Sequence, residues 1–234
     1  MRNYFVYDGR PSTDFNTYIA ESNMFDAAER DVEQVKIPGR SGTLTIDRGR
    51  FENFKCSLHA FIPDEMSTNL DGLRNWLLST SGYCRYEENS RPGEYRMARY
   101  TGPFTVSQSD RNGATFDLIF DCKPQRFLVS GETAIEFTAD GAITNPTVFE
   151  AKPIIRIYGA GTVGIGDVNV TFDGSSEYVD LDCELQDAYY GPANKNSSVT
   201  LDPNRFPVIP ASGAGIVLGS GITQVDITPR WFEL

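Results

Sequence analysis

The residues that could carry out chemistry in this chain are few and widely separated. The sequence has one histidine, His59, and four cysteines, Cys56, Cys84, Cys122 and Cys183. A Ser-His-Asp or Cys-His catalytic group would need His59, and no Gly-x-Ser-x-Gly motif accompanies any serine. The apolar alternation around His59 places its side chain away from the expected core. One histidine and four dispersed cysteines also give no zinc-ligand cluster. We therefore expect no catalytic residue and no metal site among these residues.

A second group of candidates consists of carboxylates, at Asp167, Asp173, Glu177, Asp180 and Asp182. Paired carboxylates can hydrolyse glycosides or hold calcium. Asp173 precedes a glycine and is typical of a turn, while Asp180 and Asp182 alternate with apolar residues. That alternation predicts that both side chains lie on the solvent face of a strand. A glycosidase that uses Asp180 and Asp182 is the weaker enzymatic alternative.

The segment Gly159-Ala160-Gly161-Thr162-Val163-Gly164 has the glycine spacing of a dinucleotide-binding loop. Such a loop follows a strand, opens a helix and has an acidic partner about 20 residues later. Here no helical pattern follows, the acidic partner is missing, and the surrounding region reads as β-strand. We expect no nucleotide and no other cofactor.

Composition favours a β-rich protein. The chain has 234 residues, including 15 Phe, 11 Tyr, 21 Gly and 13 Pro, which suit strands and turns better than a helical bundle. The formal net charge of -11 argues against wrapping nucleic acid or lying on an anionic membrane. The cysteine spacing indicates reduced, buried thiols. No apolar run has the length of a signal peptide or membrane helix, so we expect a protein made in a cytosol that stays soluble until it is assembled.

Hydrophobic periodicity predicts where the first half of the chain forms regular structure. Apolar residues alternate over 54–62 and again over 116–122, which predicts two strands that each bury one face. Asn112-Gly113 predicts a hairpin turn before the second of them. Between these strands, Leu70, Leu73 and Leu77 recur at helical spacing and predict a helix capped by Ser67 or Thr68.

The second half shows a different pattern. From Pro153 onward the chain reads as successive short strands without a helical signal, which predicts a β-sandwich. We predict that Asp173-Gly174 is a hairpin turn that joins strands at 168–172 and 178–185.

The segment 37–53 combines turn formers, alternating apolar residues and three arginines. Pro38 and three glycines permit a sharp hairpin turn, and Arg40, Arg48 and Arg50 would project charge from this hairpin. No catalytic chemistry needs such an arrangement. We therefore predict that Arg40, Arg48 and Arg50 belong to an interface with a partner protein.

The order of segments along the chain resembles the distal tail proteins of long-tailed, non-contractile bacteriophages. No single motif is decisive, but their order and spacing together are specific. The segments that carry the resemblance are Tyr4-Phe5-Val6-Tyr7-Asp8-Gly9, Ile37-Pro38-Gly39-Arg40-Ser41-Gly42, Gly49-Arg50-Phe51-Glu52-Asn53, Leu73-Arg74-Asn75-Trp76-Leu77, Gly82-Tyr83, Phe120-Asp121-Cys122-Lys123-Pro124, Pro153-Ile154-Ile155-Arg156-Ile157-Tyr158-Gly159 and Pro229-Arg230-Trp231.

The resemblance implies a fold and an assembly. It implies a mainly β chain with an N-terminal ring-forming β domain carrying one helix, at 1–135, and a C-terminal galectin-like β-sandwich, at 136–234. The first domain would close into a homo-hexameric ring, single or stacked, at the distal end of the phage tail in the virion. An arginine-bearing hairpin would then face a neighbouring subunit.

The resemblance also implies partners. The ring would stack on the tail tube protein and on the tail-associated hub protein, with receptor-binding or baseplate proteins as further partners. DNA would pass through an acidic lumen without specific binding. The alternative is a module that binds host cell-wall carbohydrate through Trp231 or Tyr189-Tyr190, and another tail protein such as a tube subunit is a further alternative.

Overall fold

The computed structural model describes residues 2–24, 26–109 and 112–234, although not the side chains of 107–109. The chain divides into two compact units, Met1–Arg126 with Leu234, and Phe127–Glu233. The boundary predicted at 135/136 lies a few residues beyond this division. The intervening residues include a 3-10 turn at Val129–Glu132, whose Gly131 accepts a hydrogen bond from the backbone of Arg230 in the same unit.

The first unit is built on a sheet with one helix. Its elements are β1 (Phe5–Tyr7), β2 (Arg10–Pro11), β3 (Tyr18–Ser22), β4 (Arg30–Lys36), β5 (Thr43–Phe51), β6 (Phe54–Ile62), α1 (Met66–Ser79), β7 (Cys84–Glu88), β8 (Glu94–Tyr100), β9 (Thr105–Ser109) and β10 (Ala114–Leu128), with a 3-10 turn at Ser12–Phe15. The main sheet has the order β2-β1-β7-β8-β10-β6-β3, and β9 pairs with β10. The predicted hairpin around Asn112-Gly113 is therefore confirmed for its described strands.

Period-two alternation places the core of this unit. In β6 and β10 the alternating apolar residues are buried, as predicted, except for Phe54, which is partly buried, and they pair directly across the two strands. Helix α1 adds Leu70, Leu73 and Leu77 to the same core. Trp76 stacks on Phe15 with ring centroids 5.3 Å apart.

The predicted start of α1 was wrong. The helix begins at Met66 with Glu65 as its N-cap, so Ser67 and Thr68 lie inside the first turn. Glu65 takes a left-handed conformation (φ 54°), which redirects the chain into the helix. The backbone N–H of Met66 donates to Asn112 O at 3.1 Å, so a neighbouring loop satisfies it. No helix within the described residues is long and apolar enough to cross a membrane.

The second unit is the predicted β-sandwich. Its elements are β11 (Ile135–Phe137), β12 (Gly141–Ile143), β13 (Ile154–Gly159), β14 (Gly161–Ile165), β15 (Val168–Phe172), β16 (Tyr178–Asp182), β17 (Asp187–Tyr190), β18 (Ala193–Asn194), β19 (Val199–Asp202), β20 (Ala214–Leu218), β21 (Ile222–Thr228) and β22 (Phe232–Glu233), with a 3-10 turn at Asn196–Ser198. One sheet has the order β11-β21-β13-β16-β17-β18, and the other has the order β12-β20-β14-β15-β19. Apolar residues of both sheets form one buried cluster.

At one corner of the sandwich, two chain segments cross from one sheet to the other. Four glycines lie in these segments: Gly159, Gly161, Gly219 and Gly221. Strand β13 pairs with β21 in the six-stranded sheet, and their continuations β14 and β20 pair in the five-stranded sheet. At the corner, Ala160 N donates to Gly221 O at 3.1 Å and Gly219 N donates to Thr162 O at 2.8 Å. A Cβ on Gly221 would lie 2.1 Å from the carbonyl oxygen of Ala160, and one on Gly159 would lie 2.2 Å from that of Gly221. The glycine run at 159–164 is therefore a corner of the sandwich.

The predicted hairpin at Asp173-Gly174 was wrong. Strands β15 and β16, on either side of it, belong to different sheets, so the turn carries the chain across the sandwich. The turn residues themselves are as expected: Asp173 Oδ1 accepts a hydrogen bond from Ser175 N at 2.8 Å, and Gly174 has a positive φ. An Asp-Gly turn has the same local conformation whether the next strand pairs with the preceding strand or joins the opposite sheet.

We expect Gly221→Ala to lower the free energy of unfolding of the second unit by about 3 kcal/mol or more, since φ is +90° and the new Cβ would meet backbone. The matched control is Gly191→Ala, where φ is +55° and nothing lies within 4 Å, so only about 1 kcal/mol should be lost. Urea unfolding followed by Trp231 fluorescence, in a Trp76→Phe background, measures both. Equal losses would contradict the close-approach explanation.

Candidate functional site

The hairpin β4–β5 is the candidate interaction site. Within the described ranges its two strands pair only with each other, as a separate two-stranded sheet. The predicted turn at 37–42 connects them, with Gly39 and Gly42 at φ +80° and +85°. The hairpin extends further back than the predicted segment, to Arg30, and the register shifts between Arg30 and Val32. Almost all of its side chains are exposed.

Two of the three predicted arginines are engaged inside this hairpin. Arg48 Nη2 lies 2.9 Å from Glu33 Oε2, and Arg50 Nε lies 2.6 Å from Asp31 Oδ2. The Arg48–Glu33 pair is exposed on both sides and adds little stability, but both pairs neutralise charge on the hairpin. In the part of the chain that the structure describes, Arg40 forms no ion pair, and it sits in the turn with its N–H donating to Ile37 O. The three arginines thus lie on one hairpin, but they do not share a common partner: Arg48 and Arg50 pair with carboxylates of β4, and Arg40 lies in the turn.

The sequence showed alternating apolar residues in this hairpin, but the predicted interface included only its arginines. Val35 lies directly opposite Leu44, and Glu33 lies opposite Ile46, so the three apolar side chains share one face with the Arg48–Glu33 pair. Leu44 is 43% exposed and Ile46 is 45% exposed. We call Val35, Leu44 and Ile46 the hairpin stripe. The alternation Thr43-Leu44-Thr45-Ile46 was its signal in the sequence. Exposed apolar residues on an isolated hairpin are typical of a surface that another protein covers.

The histidine and the cysteines considered for catalysis do not form a catalytic group. His59 faces solvent as predicted, and its Nδ1 lies 2.8 Å from Asp117 Oδ1 on the adjacent strand. Cys56 is buried, and its neighbour Cys122 together with burial raises the pKa of its thiol. Burial also raises the pKa of Cys183 to about 12. A nucleophilic cysteine needs a lowered pKa, so these two thiols stay protonated. Among the residues that the structure describes, no cluster of His, Cys, Asp or Glu is suited to a metal.

The expectation that Asp180 and Asp182 face solvent was wrong. Both are nearly fully buried, because each carboxylate is covered by an arginine of a nearby segment. Arg156 Nε and Nη2 donate to the two oxygens of Asp180 at 2.7 and 2.9 Å. Arg230 donates to both oxygens of Asp182 at 2.8 Å. The alternation was read correctly, but it cannot reveal that the polar face is shielded by long side chains.

These ion pairs do not fit the protonated general acid that a glycosidase needs, because both carboxylates accept hydrogen bonds from an arginine. Burial alone would raise the pKa of Asp182, but Arg230 and the backbone N–H groups of Leu185 and Glu184 outweigh it and hold the pKa below its ordinary value. A general acid must keep its proton near neutral pH. Asp182 is therefore a structural carboxylate, with its oxygens taken by hydrogen bonds.

Comparison with known proteins shows a similarity of fold to a solved structure. No protein-family model and no curated protein sequence matches the chain. Among solved structures, it is similar to the crystal structure of SPP1 Dit (gp 19.1), described as a paradigm of the hub adsorption apparatus in phages that infect Gram-positive bacteria. The TM-score is 0.71 at 16% sequence identity, over 100% of both chains. This similarity confirms the mainly β fold with one helix that the sequence resemblance predicted.

We expect acid to destabilise the second unit partly through Asp182. Its pKa is depressed in the folded state, so its contribution is present above about pH 4, the ordinary aspartate pKa, and is lost as pH falls through the folded value. Asp182→Asn should cost about 3 kcal/mol at neutral pH and flatten the acid limb of a stability-versus-pH curve. Glu150→Gln, at an exposed position, is the control. An unchanged acid limb in Asp182→Asn would contradict this assignment.

Proposed function

We propose that this chain is a structural, non-enzymatic protein of a bacteriophage tail, which forms a ring at the distal end of the tail in the virion. The observation that carries the proposal is the similarity to SPP1 Dit over the whole length of both chains. A full-length match supports a shared role better than a match of one β-sandwich would, because sandwiches host many functions. The ring would join the tail tube to the tail-tip or host-attachment apparatus.

A closed ring needs two different complementary patches on each subunit. We assign one patch to the hairpin, with the hairpin stripe as its apolar centre and the pairs of Arg48 and Arg50 at its margin. A neighbouring copy of the chain is the occupant, because an exposed two-stranded arm can reach a neighbour without disturbing its own core. The turn residue Arg40 would meet an acidic surface, in keeping with the formal net charge of -11.

The remaining partners follow from the same proposal. The ring is a homo-hexamer, single or stacked, formed by the N-terminal domain, with the galectin-like sandwich outside it. Its two faces contact the tail tube protein and the tail-associated hub protein, and receptor-binding or baseplate proteins attach further out. DNA passes through the lumen, and like charge there prevents specific binding.

The purified full-length chain should form a six-membered ring, since the proposed interface is built from the subunit's own surfaces. Size-exclusion chromatography with multi-angle light scattering gives the mass, and negative-stain electron microscopy shows the shape. A chain that stays monomeric at high concentration, even when mixed with its tail tube and hub proteins, would contradict the proposal.

Charge placed on the hairpin stripe should break the ring while leaving each subunit folded. We expect Ile46→Glu to weaken subunit association by about tenfold or more, because the carboxylate would be buried against apolar groups. Thr45→Glu is the matched control, since it adds the same side chain to the opposite face of the same strand. Both variants should unfold like the wild type.

Arg40→Glu tests the charge of the turn in the same light-scattering assay. It should weaken association and make the remaining association less dependent on salt. If Thr45→Glu and Ile46→Glu have equal effects, the stripe is not the interface. If Arg40→Glu has none, the turn arginine makes no contact.

A further inference from the structure

Two short segments join the β4–β5 hairpin to the rest of the first unit. We call them the stems: 26–29, ahead of β4, and 52–54, after β5. The hairpin pairs with no other strand in the described ranges, so its direction is set through the stems. The stems are also tied to each other, because Glu52 N donates to Glu29 O at 2.8 Å. A rotation of the stems therefore rotates the whole hairpin.

Arg96 of β8 contacts both stems. Its Nη2 donates to Asp26 O in the first stem at 3.3 Å, and its guanidinium lies 4.5 Å from the ring centroid of Phe54 in the second. Its Nη1 donates to Pro124 O of β10 at 2.9 Å. One side chain thus connects both stems to two strands of the main sheet.

The position of Arg96 is a costly one for a positive charge. The residue is only 1% exposed. The nearby carboxylate of Glu94 pairs with Arg126 at 2.8 Å, whereas the guanidinium of Arg96 meets two backbone carbonyls and an aromatic face. Burial lowers the pKa of this guanidinium, as expected for a charge removed from water. An apolar side chain of similar length would fill the space at lower cost. What arginine adds here is a rigid planar fork of donors.

A small rotation at the stems has a large effect at the hairpin stripe. At roughly 3.3 Å per residue of strand, Ile46 lies about 25 Å along the arm from Phe54. A rotation of about 10° at the stems would then displace the stripe by about 4 Å. Interface cores are packed as densely as protein interiors, so a displacement of this size separates the contacting groups. The arm binds best when its direction is already fixed.

We propose that Arg96 is a positioning residue. By holding the carbonyl of Asp26 and the ring of Phe54 to β8 and β10, it fixes the direction in which the hairpin leaves the sheet. Through that direction it controls subunit association, although it lies in the interior and not on the hairpin. The second step rests on the proposed function, whereas the first concerns the folded subunit alone.

Hydrogen–deuterium exchange followed by mass spectrometry tests the first step, on the full chain diluted until it is monomeric. The amides of Asp26 and Glu52 are the reporters, since they donate to Asn23 O and Glu29 O. In Arg96→Met, peptides that contain these amides should exchange about tenfold faster or more, because both donors of the fork are lost. Peptides of α1 should keep the protection they have in the wild type.

The matched control is Leu118→Val, which removes one methylene from the buried core of β10. A loss of global stability speeds exchange in the core strands, which open only when the unit unfolds. The control should therefore exchange faster in β6 and β10 and like the wild type at the stems. A merely structural role for Arg96 predicts the pattern of the control.

Light scattering tests the second step, at concentrations where the wild type associates. Arg96→Met should weaken association by about tenfold or more, since the stripe is no longer held in line, and Leu118→Val should associate like the wild type. Arg96→Lys stands in if the methionine variant fails to fold. It keeps the charge but lacks the planar fork, so the stems should loosen in the same way.

Two results would overturn the proposal. One is wild-type exchange at Asp26 and Glu52 in a folded Arg96 variant, which would show that Arg96 does not hold the stems. The other is wild-type association by a variant whose stems exchange faster, which would remove the link between the stems and the stripe. A wild-type chain that never associates would contradict the proposed ring instead, and the exchange measurement would still decide whether Arg96 holds the stems.

Discussion

The architecture of the second unit depends on the close approach of two backbone segments, 159–161 and 219–221. Carbonyl oxygens there occupy the space where Cβ atoms would stand, so glycine is required on both segments. This contact lets β13 and β21 continue as β14 and β20 in the opposite sheet without losing their pairing. Beyond the corner, antiparallel pairing places Arg156 opposite Asp226 on β21 and opposite Asp180 on β16.

Arginine–carboxylate pairs play two different physical roles in this molecule. In the sandwich, Arg156 and Arg230 cover carboxylates that are almost fully removed from solvent, and losing the arginine would leave a buried charge unpaired. In the hairpin, Arg48 and Arg50 pair with Glu33 and Asp31, and both arginine side chains are more than half exposed to water. The first kind contributes to stability, whereas the second mainly sets the charge pattern of an exposed face.

Much of the fold could be predicted from the sequence, because alternation and helical spacing are local signals. The buried faces of β6 and β10, the helix near Leu70–Leu77 and the strand-only second unit all follow from spacing along the chain. The predictions that were wrong concern features that depend on residues distant in the sequence. Asp173-Gly174 turns the chain in either topology, and only packing decides whether the next strand pairs or crosses. Asp180 and Asp182 read as solvent-facing because their partners, Arg156 and Arg230, lie 24 and 48 residues away in sequence. At the hairpin, the arginines were prominent in the sequence, and the exposure of the hairpin stripe could be seen only once the strands were paired.

The separateness of the β4–β5 hairpin has a consequence for how this protein can change. Its strands pair only with each other in the described structure, and none of its residues belongs to the buried core of the first unit. Substitutions on its faces are therefore almost free of stability cost, whereas substitutions in β6 or β10 are not. A lineage can alter what the hairpin recognises while the core stays under purifying selection. Recognition and folding are encoded in different residues, so one can diverge rapidly while the other is retained.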